Sequence, residues 1–182
     1  MIIKTVKKKL FDLFPDQAET APQVDETGVS DEQQVPEGKI DKKVPAAIRL
    51  NGVLECNYAE HGYHLDAQLS SEQLLPAVTL LFESGFFIET ITGVDWIKED
   101  QIEAVYDFSR YDFDLCRVVL RVRTARTTPI LPTITEIYSG ANWHEREAHD
   151  FFGIVFKGHP HLIPLLLPED AHFHPLLKDF KA

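Results

Sequence analysis

With two cysteines, one methionine and nine glycines in 182 residues, the chain is short of material for several chemistries. Cys56 and Cys116 lie far apart and belong to no CxxC pattern, which argues against a zinc ribbon or a disulfide framework and leaves no spacing fit for an iron–sulfur cluster. Reduced thiols in a cytoplasmic compartment are expected. Positive charge is scarce too: 18 Lys and Arg against 29 Asp and Glu give a net charge of −11, the wrong sign for gripping a phosphate backbone. Nucleic acid is therefore excluded, and protein partners are expected. No apolar run is long enough to span a bilayer; Leu162 to Leu167 is short and is interrupted by Pro164. The opening MIIKTVKKKLFDLF is basic but lacks the apolar core and small-residue cleavage site of a secretory signal. Glycine-rich phosphate loops, a GxSxG elbow and internal repeats are absent as well.

What is present, 44% hydrophobic and 26% charged residues, is the composition of a soluble globular protein with one core and a tail. In residues 1–14, Ile3, Val6, Leu10, Leu13 and Phe14 recur at helical spacing opposite Lys4, Lys7, Lys8 and Lys9. This predicts an amphipathic helix that either docks on a membrane surface or partner, or is a weakly ordered terminus. Residues 15–43 are rich in Asp, Glu, Gln and Pro and read as an acidic disordered linker. The folded domain is expected over 44–157. Strands are predicted at Ile48 to Tyr58, with an Asn51–Gly52 turn signal, and at Tyr63 to Leu69. Ser70 and Gln73 have capping-box spacing for a helix that runs to Ser84 and stops at Gly85, with Leu74, Leu75, Val78, Leu81 and Phe82 as its apolar face and Pro76 awkwardly placed.

Phe86 to Trp96, Gln101 to Ser109 and Asp114 to Thr124 read as a three-strand antiparallel meander. In the third, Arg117, Arg121 and Arg123 alternate with apolar residues, giving a row of guanidinium groups that is either solvated or faces an acidic partner. A short helix is predicted at Thr133 to Tyr138 and a strand at Ile154 to Phe156. From Gly158 onward, Pro160, Pro164, Pro168 and Pro175 point to an extended proline-rich tail, residues 158–182. The fold class is thus α+β, a small mixed domain with an antiparallel sheet, flanking helices and that tail.

The densest chemistry lies in WHEREAHDFFG, Trp143 to Gly153. Asn142 and Glu145 have the spacing of a capping box. On a helix, Glu145 meets His149 and Arg146 meets Asp150 at four-residue spacing, so a self-paired ion cluster is expected. Glu145 or Glu147 would act as a general base in a pocket that raised its pKa. Six of the eight histidines follow residue 143, yet His144 and His149 are five apart, unlike a two-histidine zinc helix. A free-standing histidine-rich metal-binding protein is the reading of a different class; the one preferred on these residues binds no metal.

ANWHEREAHDFFGI (Ala141 to Ile154), GHPHL (Gly158 to Leu162), LLPED (Leu166 to Asp170) and HPLLKDF (His174 to Phe180), with ITGVDW (Ile91 to Trp96) upstream, resemble the signature region of one respiratory complex I family. That family is the thirty-kilodalton hydrophilic subunit of NADH:quinone oxidoreductase. The resemblance covers roughly Glu72 to the C-terminus. It implies a non-catalytic scaffold of the peripheral arm, on the cytoplasmic face of the inner membrane, with no active site or cofactor in this chain. The partners implied are the large quinone-site or hydrogenase-like subunit and a neighbouring iron–sulfur subunit, which would hold the iron–sulfur clusters, flavin or nickel–iron centre and quinone. Trp143, Glu145, Arg146, Glu147, Asp150, Phe151, Phe152, Gly153, His159, Pro160, Pro168, Glu169, Asp170, His174, Pro175, Lys178 and Asp179 would be docking residues. Where the family usually has arginines, this chain has Ile163, Pro164 and Leu177, which implies an altered partner surface. The same family serves membrane-bound energy-converting nickel–iron hydrogenases and related ferredoxin- or formate-linked complexes, which is the alternative identity for the assembly.

Overall fold

The computed structural model describes residues 2–14, 51–112 and 115–181. The acidic linker predicted over 15–43, the start of the domain at 44 and the first residues of the strand expected from Ile48 lie outside them. The elements are α1 (Ile2–Phe11), β1 (Gly52–Glu55), α2 (Tyr58–His61), β2 (Leu65–Leu69), α3 (Ser71–Glu83), β3 (Phe87–Trp96), β4 (Gln101–Arg110), β5 (Cys116–Ala125), β6 (Ile130–Pro132), α4 (Ala141–Phe152) and β7 (Val155–Lys157). Five strands form one sheet in the order β1-β2-β5-β4-β3. The β3–β4–β5 meander is antiparallel as predicted. β2, however, pairs parallel to β5, so the sheet is mixed. A parallel pair needs a crossover, and α3 with the meander supplies it.

Alternation divides the sheet into two chemically different faces. Leu65, Ala67 and Leu69 of β2, Ile102, Ala104, Tyr106 and Phe108 of β4, and Cys116, Val118, Leu120 and Val122 of β5 are all buried in the apolar core. α1 and α3 pack against this assembly, and α4 packs on β3. The opposite face carries the arginine row, whose side chains are partly exposed and paired with acids of the same sheet. Arg117 pairs with Glu89 at 2.9 Å, Arg121 with Asp66 at 3.1 Å and Glu103 at 3.4 Å, and Arg123 with Glu103 at 2.9 Å. The acids come from the neighbouring strands β2, β3 and β4, so the row is an internal ion-pair lattice.

Several local expectations are revised. α1 exists, but its apolar stripe faces its own domain: Val6, Leu10 and Phe14 join the core and Gln73 Nε2 donates to Leu13 O at 3.1 Å. Asn51–Gly52 makes no hairpin turn; Gly52 opens β1 opposite Gln68, and Asn57 ends the segment by capping α2 through Ala59 N–H. α3 has the predicted Ser70–Gln73 capping box and is followed by Gly85 at φ +79°. It runs through Pro76, whose missing N–H falls on the exposed side with Glu72. Leu75 and Phe82, expected inside, are exposed, and Ala77 takes the inner position. No helix forms at Thr133 to Tyr138, only turns, because this stretch is held from outside by Glu145. β6 before it pairs parallel with β7, shifted one residue from the predicted strand.

Candidate partner-docking site

α4 buries Ala141, Glu145, Arg146, Ala148 and Asp150 and exposes Trp143 and Glu147. Its small residues allow close approach to β3, where a Cβ on Gly93 would stand 2.3 Å from the Phe152 ring. Gly93 thus leaves the room that the Phe152 ring occupies against the strand. The helix begins after Gly140 with no side-chain cap. Asn142 sits inside the first turn, and the capping box proposed with Glu145 is not formed, because that carboxylate faces the core. Gly153 ends the helix at φ +75°, its N–H donating to His149 O at 2.9 Å, with the His174 ring against its Cα side.

The expected self-pairing of α4 charges does not occur. Glu145 Oε1 accepts from Ile134 N–H at 2.8 Å and its Oε2 from Thr133 Oγ1 at 2.5 Å. Burial pushes this carboxyl up from 4.5 to about 7, against those two donors, which favour the charged form. Arg146 donates to the carbonyls of Ile163 at 3.0 Å and Pro164 at 2.9 Å, and its guanidinium lies over the Trp143 ring at 5.2 Å. Asp150 Oδ2 accepts from three consecutive backbone N–H groups, Leu165, Leu166 and Leu167, at 2.9, 2.7 and 3.1 Å. Burial alone would raise its pKa, but these donors more than offset that and hold it below the ordinary carboxylate value. His149 Nδ1–H donates to Ile154 O at 2.9 Å. Each charge faces a loop or the C-terminal segment, whose backbone groups lack sheet partners and need it.

Residues 158–181 contain no helix or strand and fold back over α4. His159 donates to Asn142 O at 3.3 Å, His174 to Asp150 O at 2.8 Å, and Leu176 N–H to Phe151 O at 3.2 Å. Farther along, Lys178 N–H donates to Asp95 Oδ2 at 2.8 Å, while Arg126 forks onto Asp95 and also pairs with Asp179. The predicted docking residues therefore split. Arg146, Asp150, Gly153, His159, His174 and Asp179 hold the segment in place, with Phe151 and Pro175 half-buried among them, while Glu145 holds the backbone at Thr133 and Ile134 and Phe152 lies against Gly93. Trp143, Glu147, Pro160, Pro168, Glu169, Asp170 and Lys178 lie at the surface. Trp143 is 60% exposed, and Leu166 and Leu176, set beside α4 by the bonds above, are 62% and 53% exposed.

Sequence reasoning missed Thr133, Ile134, Gly93, Asp95 and Arg126 as parts of this unit. The first two carried no signal; Asp95, buried at 3% exposure between apolar strand positions, required a cation somewhere. At the positions of the arginine departures, Ile163 and Pro164 serve α4 through their carbonyls, the Ile163 side chain is exposed, and Leu177 packs against the core. Among the described residues no group of three or more His, Cys, Asp or Glu is placed to hold a metal, and no helix is long and apolar enough to cross a membrane.

A family model described as the 30 kDa subunit of respiratory-chain NADH dehydrogenase matches residues 67–182. A subunit of the NADH-quinone oxidoreductase of Roseiflexus castenholzii is 45% identical over 94 residues, 51% of this chain and 53% of that protein. A subunit of the F420H2 dehydrogenase of Methanosarcina mazei is 40% identical over 94 residues, 51% of this chain and 59% of that protein. The chain spans little more than half the length of these curated relatives. Among solved structures, a chain of the membrane-bound sulfane sulfur reductase, an archaeal respiratory membrane complex, superposes with a TM-score of 0.59 at 29% identity, covering 64% of this chain and 71% of that one. The family match takes in β3 to β5, α4 and the segment clasped onto it, and on that ground the chain belongs to the 30 kDa subunit family of respiratory-chain NADH dehydrogenase.

Proposed function

We propose that this chain is a non-catalytic docking subunit in the peripheral arm of a complex I-like, membrane-bound oxidoreductase. In that role it would support electron transfer to quinone coupled to proton translocation. The observation that carries the reading is the division of labour on α4: buried Arg146 and Asp150 are spent on fixing the C-terminal segment, which leaves Trp143, Leu166 and Leu176 outward on a rigid frame. Rigid, exposed aromatic and aliphatic anchors are what a stable protein interface uses. The large quinone-site or hydrogenase-like subunit, with a neighbouring iron–sulfur subunit, is the proposed partner. Those subunits would carry the iron–sulfur clusters, flavin or nickel–iron centre and quinone, and this chain none. The complex would sit peripherally on the cytoplasmic face of the membrane.

A second reading of the assembly, a ferredoxin-, formate- or F420-linked complex or an energy-converting hydrogenase, is favoured by the likeness to the sulfane sulfur reductase chain and the F420H2 dehydrogenase subunit. The electron donor copurifying with the large partner separates the two. The docking role is tested with Trp143→Ala and Glu147→Ala, both at exposed positions: recovery of the large subunit on the tagged chain should drop about tenfold for Trp143→Ala, the loss of roughly 1.4 kcal/mol. Full assembly with lost turnover would instead point to chemistry on α4. Stoichiometric zinc, nickel or iron in the isolated chain would sink the scaffold reading in favour of a metal protein.

A further inference from the structure

Docking leaves one titratable group of α4 unused. Glu145 has 0% exposure, and none of the described residues brings an ammonium or guanidinium within ion-pair distance of it. A carboxylate buried without a cation is held in its charged form by hydrogen bonds alone. Its Oε1 takes Ile134 N–H and its Oε2 the hydroxyl of Thr133. Thr133 Oγ1 stands 2.9 Å from Thr135 Oγ1, and Thr135 lines a surface cleft beside the start of α4 with Ser139 and Asn142. A line of hydroxyls thus joins the cleft to the buried carboxyl. We infer that Glu145 is a proton-binding site, taking up and releasing a proton through the Thr133–Thr135 hydroxyl pair, and that its charge sets how firmly the 133–138 turn is held on α4.

The transfer balances with O–H bonds alone. Glu145 Oε2 gives its proton to Thr133 Oγ1, Thr133 passes its own to Thr135 Oγ1, and Thr135 releases one to the cleft. Afterwards Thr133 donates to the carboxylate, as the geometry has it, while the Ile134 N–H bond persists in both states. Of the ionisable groups on the surrounding elements, Tyr106 of β4 is buried and feels the Glu145 charge, its hydroxyl without a hydrogen-bond partner among the described residues. On β3, Glu89 is paired with Arg117 and Asp95 with Arg126. Tyr138 of the turn donates to Phe86 O and His149 of α4 to Ile154 O; Glu136 and Lys157 of β7 are exposed, and His159 bonds Asn142 O. None supplies a compensating cation in contact.

The folded carboxyl titrates at about 7, above its ordinary 4.5. A folded-state pKa above the unfolded one adds stability below the unfolded value, and that stability is lost as pH rises through the folded value. The full chain labelled with carbon-13 glutamate is the test, its Glu145 Cδ line assigned by its absence in Glu145→Gln and followed from about pH 4 to about pH 9. A midpoint near 7 is expected. Thr133→Val, which removes a donor to the charged form, should move it higher still. Ile134 amide nitrogen reports the same titration with no substitution, should Glu145→Gln fold poorly. A Glu145 midpoint at or below about 5, or one that Thr133→Val leaves in place, overturns the inference.

Discussion

Asp150 is the residue on which the C-terminal segment turns. One carboxylate oxygen serves three successive N–H groups, a concave cluster of donors of the kind that binds anions elsewhere. Hydrogen bonds to a charged group are worth about 1.5–3 kcal/mol each, and leaving three part-buried N–H groups poorly satisfied costs more than losing one contact. Asp150→Asn keeps the shape and removes the charge, so we expect unfolding free energy to fall by roughly 2–3 kcal/mol. Limited proteolysis should find Leu165 to Leu167 more readily in the variant. Because the folded carboxyl titrates below its ordinary value, its contribution is complete above about 3.8 and fades as pH falls through the folded pKa. In acid the unmodified chain should therefore come to resemble Asp150→Asn in cleavage rate. A variant as protease-resistant as the parent at neutral pH would show that the segment is held by its apolar contacts instead.

At the scale of elements, the sheet's charged face behaves as one unit. Glu103, 2% exposed, stands between Arg121 and Arg123, and the latter's guanidinium also lies 4.6 Å from the Trp96 ring. Removing one member of a buried pair leaves the other uncompensated, so Glu103→Ala should cost about 3 kcal/mol in chemical denaturation. Roughly 1 M salt should change that difference little, since a pair shielded from water is poorly screened. A cost under about 0.5 kcal/mol would mark the lattice as an ordinary surface array. The meander itself was legible, because Val118, Leu120 and Val122 against Arg117, Arg121 and Arg123 declare a strand with two faces. Its partners were not. Asp66 reaches Arg121 only because β2 inserts parallel beside β5, and alternation says nothing about strand order. α4 shows the same limit: four-residue spacing tells which side chains on one helix can meet, yet Arg146 and Asp150 found better partners in unpaired backbone of a proline-broken segment. Capping at α3 was readable because both halves of the box lie within four residues; α4 has no such local device.

Considered whole, the molecule is a sheet with two helices closing one part of its apolar face, α1 and α3, and a third, α4, closing the part beside β3. α1 decides whether its basic, amphipathic sequence serves a membrane or the protein's own core. Val6 and Leu10 are 0% exposed and Phe14 5%. Side chains of that size each gain about 1.5–3 kcal/mol on burial, so their removal outweighs any surface charge effect. The exposed Lys7–Glu55 pair at 2.8 Å, by contrast, is worth under about 1 kcal/mol. Deleting residues 1–14 should thus lower the unfolding free energy of the chain by roughly 5 kcal/mol and expose an apolar groove between α3 and β1 that promotes aggregation. Lys7→Ala should leave the thermal midpoint nearly unchanged. If the deletion is silent in both thermal unfolding and solubility, the helix is not part of the core, and its lysine-rich face becomes free to meet an anionic membrane. If it is costly, a membrane can recruit α1 only by unfolding part of the domain.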